Sequence, residues 1–176
     1  MTEIRFYHLQ RTPLEAALPK MLEMCLSRDW KAVVMARSKE RVTDLGERLW
    51  TYDDRSFLPH GDASDGHAEQ QPIWLTEADE NPNGASVLFL TDGAASDGIA
   101  SYDLVCRLFD GRDEEAVAAA RKCWSSEKDD GHHLTYWQQT ERGWEKKAEH
   151  GAAKPQSENQ GPESAVGMPD GQADST

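Results

Sequence analysis

The amino-acid sequence predicts an α/β domain of three layers, in which helices flank a mainly parallel central sheet. Short apolar runs at residues 32–35 and 86–90 are typical of strands that are buried on both faces. Segments whose apolar residues recur at helical spacing alternate with these runs, and this order favours parallel strands joined by helical crossovers. The length of 176 residues suits one domain of ordinary size and a tail.

The first strand and the first helix are predicted near the N-terminus. Residues 3–8 are rich in aromatic and β-branched side chains, which favour a strand. Thr12 is predicted to cap the following helix, with Pro13 at its first helical position and Glu15 reaching back to complete a capping box. Pro19 lies inside the helical pattern and should kink the helix or delay its regular part. The apolar residues on one helical face are Leu14, Leu18, Met21, Leu22, Cys25 and Leu26.

The middle of the chain predicts three buried strands and a second helix. Residues 32–35 form the second strand, and Ser38 is placed to cap the helix that follows it. Residues 73–75 and 86–90 are the next two apolar runs, and each predicts a buried strand. The inner stripe of the second helix consists of Val42, Leu45 and Leu49.

The last third of the domain predicts one more helix and a closing strand. Residues 102–109 fit either a helix or a strand. Asp113 is placed to cap a helix that continues to about Lys128. Residues 134–139 then form the strand that closes the sheet. The residues of this helix expected to point inward are Ala116, Val117, Ala120 and Trp124.

The domain is predicted to span residues 1–148 and a disordered tail residues 149–176. The tail is rich in Gly, Pro, Ser and Gln, contains acidic residues and has no aromatic residue. Such a segment cannot bury enough apolar surface to offset the entropy lost on ordering.

The charge of the chain argues against tight binding to duplex DNA. The formal net charge is −13 at pH 7, and no Lys/Arg-rich run is present. A chain of this charge is repelled by the phosphate backbone unless its basic groups cluster. Contact with DNA is therefore expected to be mostly indirect, through a protein partner that one local basic pocket can hold.

A cytoplasmic protein is expected, without contact to a membrane. No apolar run approaches the ~20 residues of a membrane helix, and the N-terminus does not resemble a signal peptide. Cys25, Cys106 and Cys123 are widely spaced and form no Cys-x-x-Cys pair, which argues against a zinc site or a redox dithiol. They are expected to be small buried side chains in a reducing compartment.

The strongest enzymatic signal is a polar loop that contains His60, Asp62, Asp65 and His67. These residue types can bind a metal, so a metal-dependent hydrolase is one alternative. A Gly-rich loop whose Asp side chains bond to their own backbone is the other interpretation, and we favour it. His132 and His133 follow Gly131 at a helix end, where a role in capping the helix is predicted.

No nucleotide or nucleophile motif is found. The loop at residues 91–98 follows a strand, but it has no Lys and it contains Asp92 and Asp97, which would repel a phosphate. No Gly-x-Ser-x-Gly elbow is present. The residues therefore predict neither a catalytic site nor a cofactor.

Several segments together resemble the chi subunit of bacterial DNA polymerase III, an accessory protein of the clamp-loader assembly. They are residues 4–9 (Ile-Arg-Phe-Tyr-His-Leu), Leu49-Trp50 followed by residues 56–60 (Ser-Phe-Leu-Pro-His), Phe109, and residues 120–124 (Ala-Arg-Lys-Cys-Trp). The similarity covers about residues 1–148. It implies a fold like a nucleotide-binding domain that lacks the nucleotide, and it favours a strand at the end of residues 102–109.

The resemblance implies a binding site for the carboxylate-ending tail of single-stranded DNA-binding protein. In that family a basic residue at the position of Arg121 helps to hold the tail, and Phe109 is the candidate apolar wall. The family often has a second basic residue one helical turn earlier, where this chain has Val117. Either Lys122, Lys128 or another group is then expected to take that place, or the pocket is expected to bind less tightly. The plainer interpretation of Arg121 and Lys122 is a solvated helix face.

The resemblance also implies a second surface, for the psi subunit or another partner. Its residues would be Trp50, Phe57, Leu58, Pro59 and His60. Pro59 stiffens the segment, and Phe57 is the first choice for a partner contact. Alternatively, Trp50 belongs to the core and His60 anchors the loop.

The expected function is that of a non-catalytic replication subunit that links the clamp-loader complex to single-stranded DNA-binding protein on the template. The polymerase activity, a nucleotidyl transfer, would belong to the holoenzyme. A helicase-associated adaptor that uses the same Phe57 surface is a further alternative.

Overall fold

A computed structural model describes residues 2–151 of the chain. The prediction of a disordered tail falls almost entirely outside these residues. The elements in chain order are β1 (Glu3–Leu9), α1 (Leu14–Ser27), β2 (Ala32–Met35), α2 (Lys39–Thr51), β3 (Ile73–Thr76), β4 (Val87–Leu90), β5 (Leu104–Asp110), α3 (Glu114–Asp129), β6 (His133–Thr140) and β7 (Gly143–His150).

The strands form one seven-stranded sheet in the order β3-β2-β4-β5-β1-β6-β7. Neighbouring strands are parallel throughout, except that β7 is antiparallel to β6. Residues of α1 and α2 belong to the core on one face, and α3 packs into a separate core on the other face. The prediction of an α/β fold with a mainly parallel sheet is confirmed.

The two cores arise from alternation along the strands. In β1, Ile4 and Phe6 face α3, whereas Tyr7 and Leu9 face α1 and α2. β2, β3 and β4 are buried along their whole length, which explains their uninterrupted apolar sequences. Within the described residues 2–151, no helix is long and apolar enough to cross a membrane.

The predicted caps of the second and third helices are confirmed, but the predicted cap of the first helix is wrong. The Ser38 hydroxyl accepts a hydrogen bond from the Arg41 amide at 3.2 Å, and the Asp113 carboxylate accepts one from the Glu115 amide at 3.0 Å. In α1 the N-cap position is held by Pro13, which makes no side-chain cap. The Thr12 hydroxyl instead accepts a hydrogen bond from the Gln139 side-chain amide at 2.7 Å.

The inward face of α1 is as predicted, and the helix continues through Pro19 to Ser27. Leu18, Met21, Leu22 and Cys25 are buried. Burial of an aliphatic side chain of this size stabilises a fold by ~1.5–3 kcal/mol, so this face holds α1 on the sheet.

The inner face of α3 is less apolar than predicted. Ala120 is buried, while Ala116, Val117 and Trp124 are half-buried. Glu127, which the pattern did not place inside, is buried and forms an ion pair with Arg107 of β5.

The C-terminal part differs from the prediction in two respects. First, β6 does not close the sheet, because β7 follows it as an antiparallel edge strand that reaches His150. Secondly, the rings of His132 and His133 do not cap α3. The His132 ring accepts a hydrogen bond from the Thr2 amide at 3.1 Å, and the His133 ring lies 2.7 Å from the Glu149 carboxylate. They join the end of α3 to β1 and β7.

Candidate protein-docking surfaces

Two large aromatic side chains are exposed next to each other at the end of α2. Trp50 is 52% exposed and Phe57 is 70% exposed, and their ring centroids are 5.8 Å apart. A turn at Asp53, whose carboxylate accepts a hydrogen bond from the Arg55 amide at 2.9 Å, brings Phe57 back towards the helix. We call this pair the Trp50 surface. Adjacent exposed aromatic rings of this size are typical of a binding site rather than of an ordinary surface.

The residues that follow Phe57 anchor the surface from inside. Leu58 is 1% exposed and belongs to the core on the α1 and α2 side. The two ring nitrogens of His60 lie 2.6 Å from the Leu58 carbonyl oxygen and 3.0 Å from the Gly46 carbonyl oxygen. The Trp50 ring packs on the His60 ring, with centroids 4.1 Å apart. Leu58 and His60 therefore do not face a partner, and Pro59 is half-buried.

The segment is also hydrogen-bonded to the sheet. The Gly61 amide donates to the Ile73 carbonyl at 3.1 Å, and the Gly61 carbonyl accepts from the Leu75 amide at 2.9 Å. Gly61 thus forms a parallel bridge with Trp74 on the outer side of β3. A surface that is held in this way loses little conformational entropy when a partner docks on it.

The metal site that the polar loop suggested is not formed. His60 is turned into the domain, and the Asp62 carboxylate accepts a hydrogen bond from the Ser64 amide at 2.9 Å. The Asp65 carboxylate accepts one from the Asp62 amide at 3.0 Å, and His67 is exposed. Among residues 2–151, no group of three or more His, Cys, Asp or Glu side chains is arranged to hold a metal ion. The alternative of a metal-dependent hydrolase is not supported.

A second candidate surface lies between α3, the carboxyl ends of β1 and β5, and the middle of β6. Arg121 is exposed on α3, and Val117 lies one turn earlier on the same side of the helix. Phe109 is half-buried at the end of β5. Its ring centroid is 5.3 Å from that of His8 and 6.0 Å from that of Tyr136. We call these five residues the Arg121 surface.

His8 and Tyr136 are the members of this surface that the sequence did not indicate. The His8 Nδ1 lies 2.7 Å from the Tyr136 hydroxyl oxygen. The pKa of His8 is below its ordinary value because the ring is partly desolvated and because Arg121 is near; Asp110 and the Gly111 backbone act in the opposite direction. Desolvation raises the pKa of Tyr136, and Arg121 again opposes that shift by lowering it. Arg121 is therefore electrostatically coupled to both rings.

The structure does not bring Lys122 into this group. Lys122 is exposed, and as the next residue of the helix it points ~100° away from Arg121 around the helix axis. Within residues 2–151, no salt bridge joins Arg121 to an acidic side chain.

The cleft in which doubly wound folds bind nucleotides is present, but its chemistry is different. A cavity of about 760 Å³ lies beyond the ends of β1, β2, β4 and β5. Arg41 lines it and forms ion pairs with Glu15 at 2.7 Å and with Asp92 at 2.7 Å. Asp110, Asp113 and Glu115 add further acidic groups, so that the lining contains five carboxylates against three arginines, of which Arg37 and Arg112 are the other two. These carboxylates repel phosphate groups.

Comparison with known proteins identifies the family. The sequence profile of the DNA polymerase III chi subunit, HolC, matches residues 1–135. A relative described as "Probable DNA polymerase III subunit chi", from Rickettsia prowazekii (strain Madrid E), is 32% identical over 90 residues. The matched part is 51% of this chain and 54% of the relative, so the match spans about half the length of that curated protein. The profile covers most of the folded part of the chain, from β1 into β6, and the chain therefore belongs to the DNA polymerase III chi subunit family.

Proposed function

We propose that the chain is a non-catalytic accessory subunit of DNA polymerase III that links the clamp-loader complex to single-stranded DNA-binding protein on the template strand. Membership of the chi subunit family supports the role in the polymerase complex. The Trp50 surface is at the end of α2 and the Arg121 surface is on α3, and these helices pack on opposite faces of the sheet. One small domain can therefore bind two partners at the same time.

The observation that carries the proposal is the exposure of Trp50 and Phe57 on a segment that is itself anchored in the core and on the sheet. Aromatic anchors contribute much of the binding energy of protein interfaces, particularly where they need not be ordered first. The psi subunit or an equivalent component of the clamp loader is the proposed partner at this surface.

The Arg121 surface suits a chain terminus that ends in a carboxylate and an aromatic side chain. A guanidinium group can form two parallel hydrogen bonds to a carboxylate. Phe109 and Val117 lie beside it and offer apolar contact. The net charge of −13 for the whole chain repels an acidic peptide elsewhere, so the attraction is local to this site.

Tethering is the proposed mechanism. When one surface is bound to the clamp-loader complex and the other to the protein that coats the template, each contact raises the effective concentration of the other partner. Two contacts of moderate affinity then give a stable connection. One partner can still dissociate and be replaced while the other stays bound.

The Arg121 surface is tested by titration with a peptide that ends in an acidic stretch and a C-terminal Phe. Arg121→Glu replaces an attractive charge with a repulsive one, and we expect affinity to fall more than ~10-fold. Arg48→Glu makes the same charge change on α2, on the other face of the sheet, and should leave the affinity unchanged. Equal affinities for wild type and Arg121→Glu would refute the assignment of Arg121.

The Trp50 surface is tested by capturing partners from cell extract with wild-type protein and with Phe57→Ala. Because the Phe57 side chain is 70% exposed, Phe57→Ala should weaken binding of the partner at this surface. Binding of the acidic peptide at the Arg121 surface should not change. Recovery of a clamp-loader component that Phe57→Ala loses would support the proposal. Recovery of a helicase instead would favour the adaptor that shares this docking mode.

A further inference from the structure

We propose that His8 and Tyr136 form, together with Arg121, the group that binds the terminal carboxylate, and that His8 takes up a proton when the carboxylate binds. This inference rests on the proposed function of the Arg121 surface and goes beyond it in naming two further binding residues and a dependence on pH.

The geometry places His8 where it can act on a ligand of Arg121. His8 is the second-last residue of β1, pairs with Phe109 of β5, and contacts the Tyr136 hydroxyl of β6 through Nδ1 at 2.7 Å. The other ring nitrogen is packed against Gly111, where an added Cβ atom would lie 1.9 Å from His8 Nε2. The ring is thus held on both sides, and it is only half-buried.

The hydrogen bonds of His8 differ between its two protonation states. When the proton of the neutral ring is on Nε2, which packs against Gly111, Nδ1 accepts a hydrogen bond from the Tyr136 O–H. The Tyr136 hydroxyl then has no proton to offer to a ligand. When Nδ1 gains a proton from solvent, it donates to the Tyr136 oxygen. The tyrosine O–H turns away from the histidine and becomes available to a carboxylate.

A positive charge on His8 would replace the second basic residue of the site, which this chain lacks because it has Val117 at that position. Arg121 supplies one cation beside His8, because Lys122 points elsewhere and Lys128, although on the same side of α3, lies ~10 Å further along the helix axis. A protonated His8 adds a second cation from the sheet side. The carboxylate would then accept hydrogen bonds from the Arg121 guanidinium on the helix side and from the Tyr136 hydroxyl on the sheet side.

The charges around His8 give the direction of the pH effect. The charges of Arg121 on α3 and of Asp110 at the end of β5 act on the ring, while β6 contributes the Tyr136 hydroxyl. In the free protein desolvation and Arg121 keep the pKa of His8 below 6.5. A bound carboxylate beside the ring stabilises the imidazolium and raises the pKa of His8. Binding therefore takes up a proton, and affinity increases as the pH falls.

The test is the affinity of the acidic peptide with the C-terminal Phe, measured by calorimetry from pH 8.0 to pH 5.8. Wild type should bind at least ~5-fold more tightly at the lower end, within the limit of tenfold for each pH unit set by one proton. His8→Asn can still accept the tyrosine proton but does not titrate, so its affinity should not change over this range. His67→Asn removes an exposed histidine on another part of the surface and should keep the wild-type response.

A second measurement uses the wild-type protein alone. The NMR titration of the His8 ring should give a pKa below 6.5 without peptide and a higher one with saturating peptide. A peptide with a C-terminal amide should raise the pKa of His8 less, because it lacks the negative charge of the terminal carboxylate. If wild type binds the peptide through Arg121 with the same affinity at every pH, or if the His8 pKa does not rise, this inference is wrong and the proposed function stands. If the peptide does not bind at any pH, both are wrong.

Discussion

Phe57 and Leu58 are neighbours in the chain, and their side chains have opposite surroundings. Phe57 is 70% exposed, whereas Leu58 is 1% exposed. The chain is extended before Pro59, and in extended backbone successive side chains point to opposite sides. One side of this short segment therefore fixes the loop in the core, and the other exposes an aromatic ring to solvent.

This division predicts opposite effects for two alanine substitutions. Leu58→Ala should lower the free energy of unfolding by ~2–5 kcal/mol, because it leaves a cavity in the core. Phe57→Ala should change it by no more than ~0.5 kcal/mol, since little buried contact is lost. Urea unfolding at neutral pH measures both. A large loss of stability in Phe57→Ala would show that the ring belongs to the core.

The sequence indicated some residues of the candidate sites and not others. Trp50, Phe57, Arg121 and Phe109 could be named as candidates because their segments have a recognisable sequence. His8 and Tyr136 were missed because their contact depends on β1 and β6 being neighbours, although the two side chains are 128 positions apart in the chain. Strand order is decided by packing of the whole sheet, and no local pattern encodes it.

Among the elements, α1, α2 and the loop after β4 are joined by one side chain. Arg41 of α2 forms ion pairs with Glu15 of α1 and Asp92 after β4, and all three are largely buried. The pKa of Glu15 is lower than 4.5: burial acts to raise it, but the hydrogen bond and the charge of Arg41 outweigh burial. The Arg41 cluster lines the cleft in which related folds bind a nucleotide.

This lowered pKa gives a dependence of stability on pH. The folded-state pKa of Glu15 is below its unfolded value, so its contribution is present above pH 4.5 and is lost as the pH falls through the folded pKa. Arg41→Met should therefore reduce the free energy of unfolding more at pH 7 than at ~pH 3. Arg142→Met, at an exposed position in the turn between β6 and β7, is the control. A difference from wild type that is independent of pH would show that Glu15 does not act through Arg41.

Helices and strands were predictable to different degrees. The Ser38 and Asp113 caps were recognisable because a cap depends on a few adjacent residues. β7 was missed because its sequence is charged and its side chains are largely exposed, so it has none of the apolar alternation that indicates a strand. Charges on such an edge strand discourage pairing with other chains, which is the physical reason for that composition.

For the whole molecule, the two surfaces should respond differently to salt. The Arg121 surface attracts its ligand by charge, within a chain of net charge −13. The Trp50 surface attracts by apolar contact. Raising the salt concentration from ~0.05 M to ~0.5 M should weaken binding of the acidic peptide several-fold and leave capture by the Trp50 surface unchanged or stronger. Equal salt dependence at both surfaces would contradict this division of chemistry.

The overall architecture was predictable from the alternation of apolar runs and amphipathic helices, which requires a sheet covered on both faces. The order of the seven strands was not, since β1 lies between β5 and β6 through contacts that are distant in sequence. The family resemblance indicated what the alternation could not, namely which residues are candidates for contact with a partner.

The bridge between Gly61 and β3 restricts how any partner can be recognised near Phe57. With Gly61 bonded to both Ile73 and Leu75, the backbone of β3 is already occupied there, and an incoming peptide cannot extend the sheet by strand addition. Recognition must then depend on side-chain shape alone. A helix, a loop or an extended segment of a partner can each provide matching side chains. Partners with unrelated sequences can therefore bind at this one site without a change in the domain.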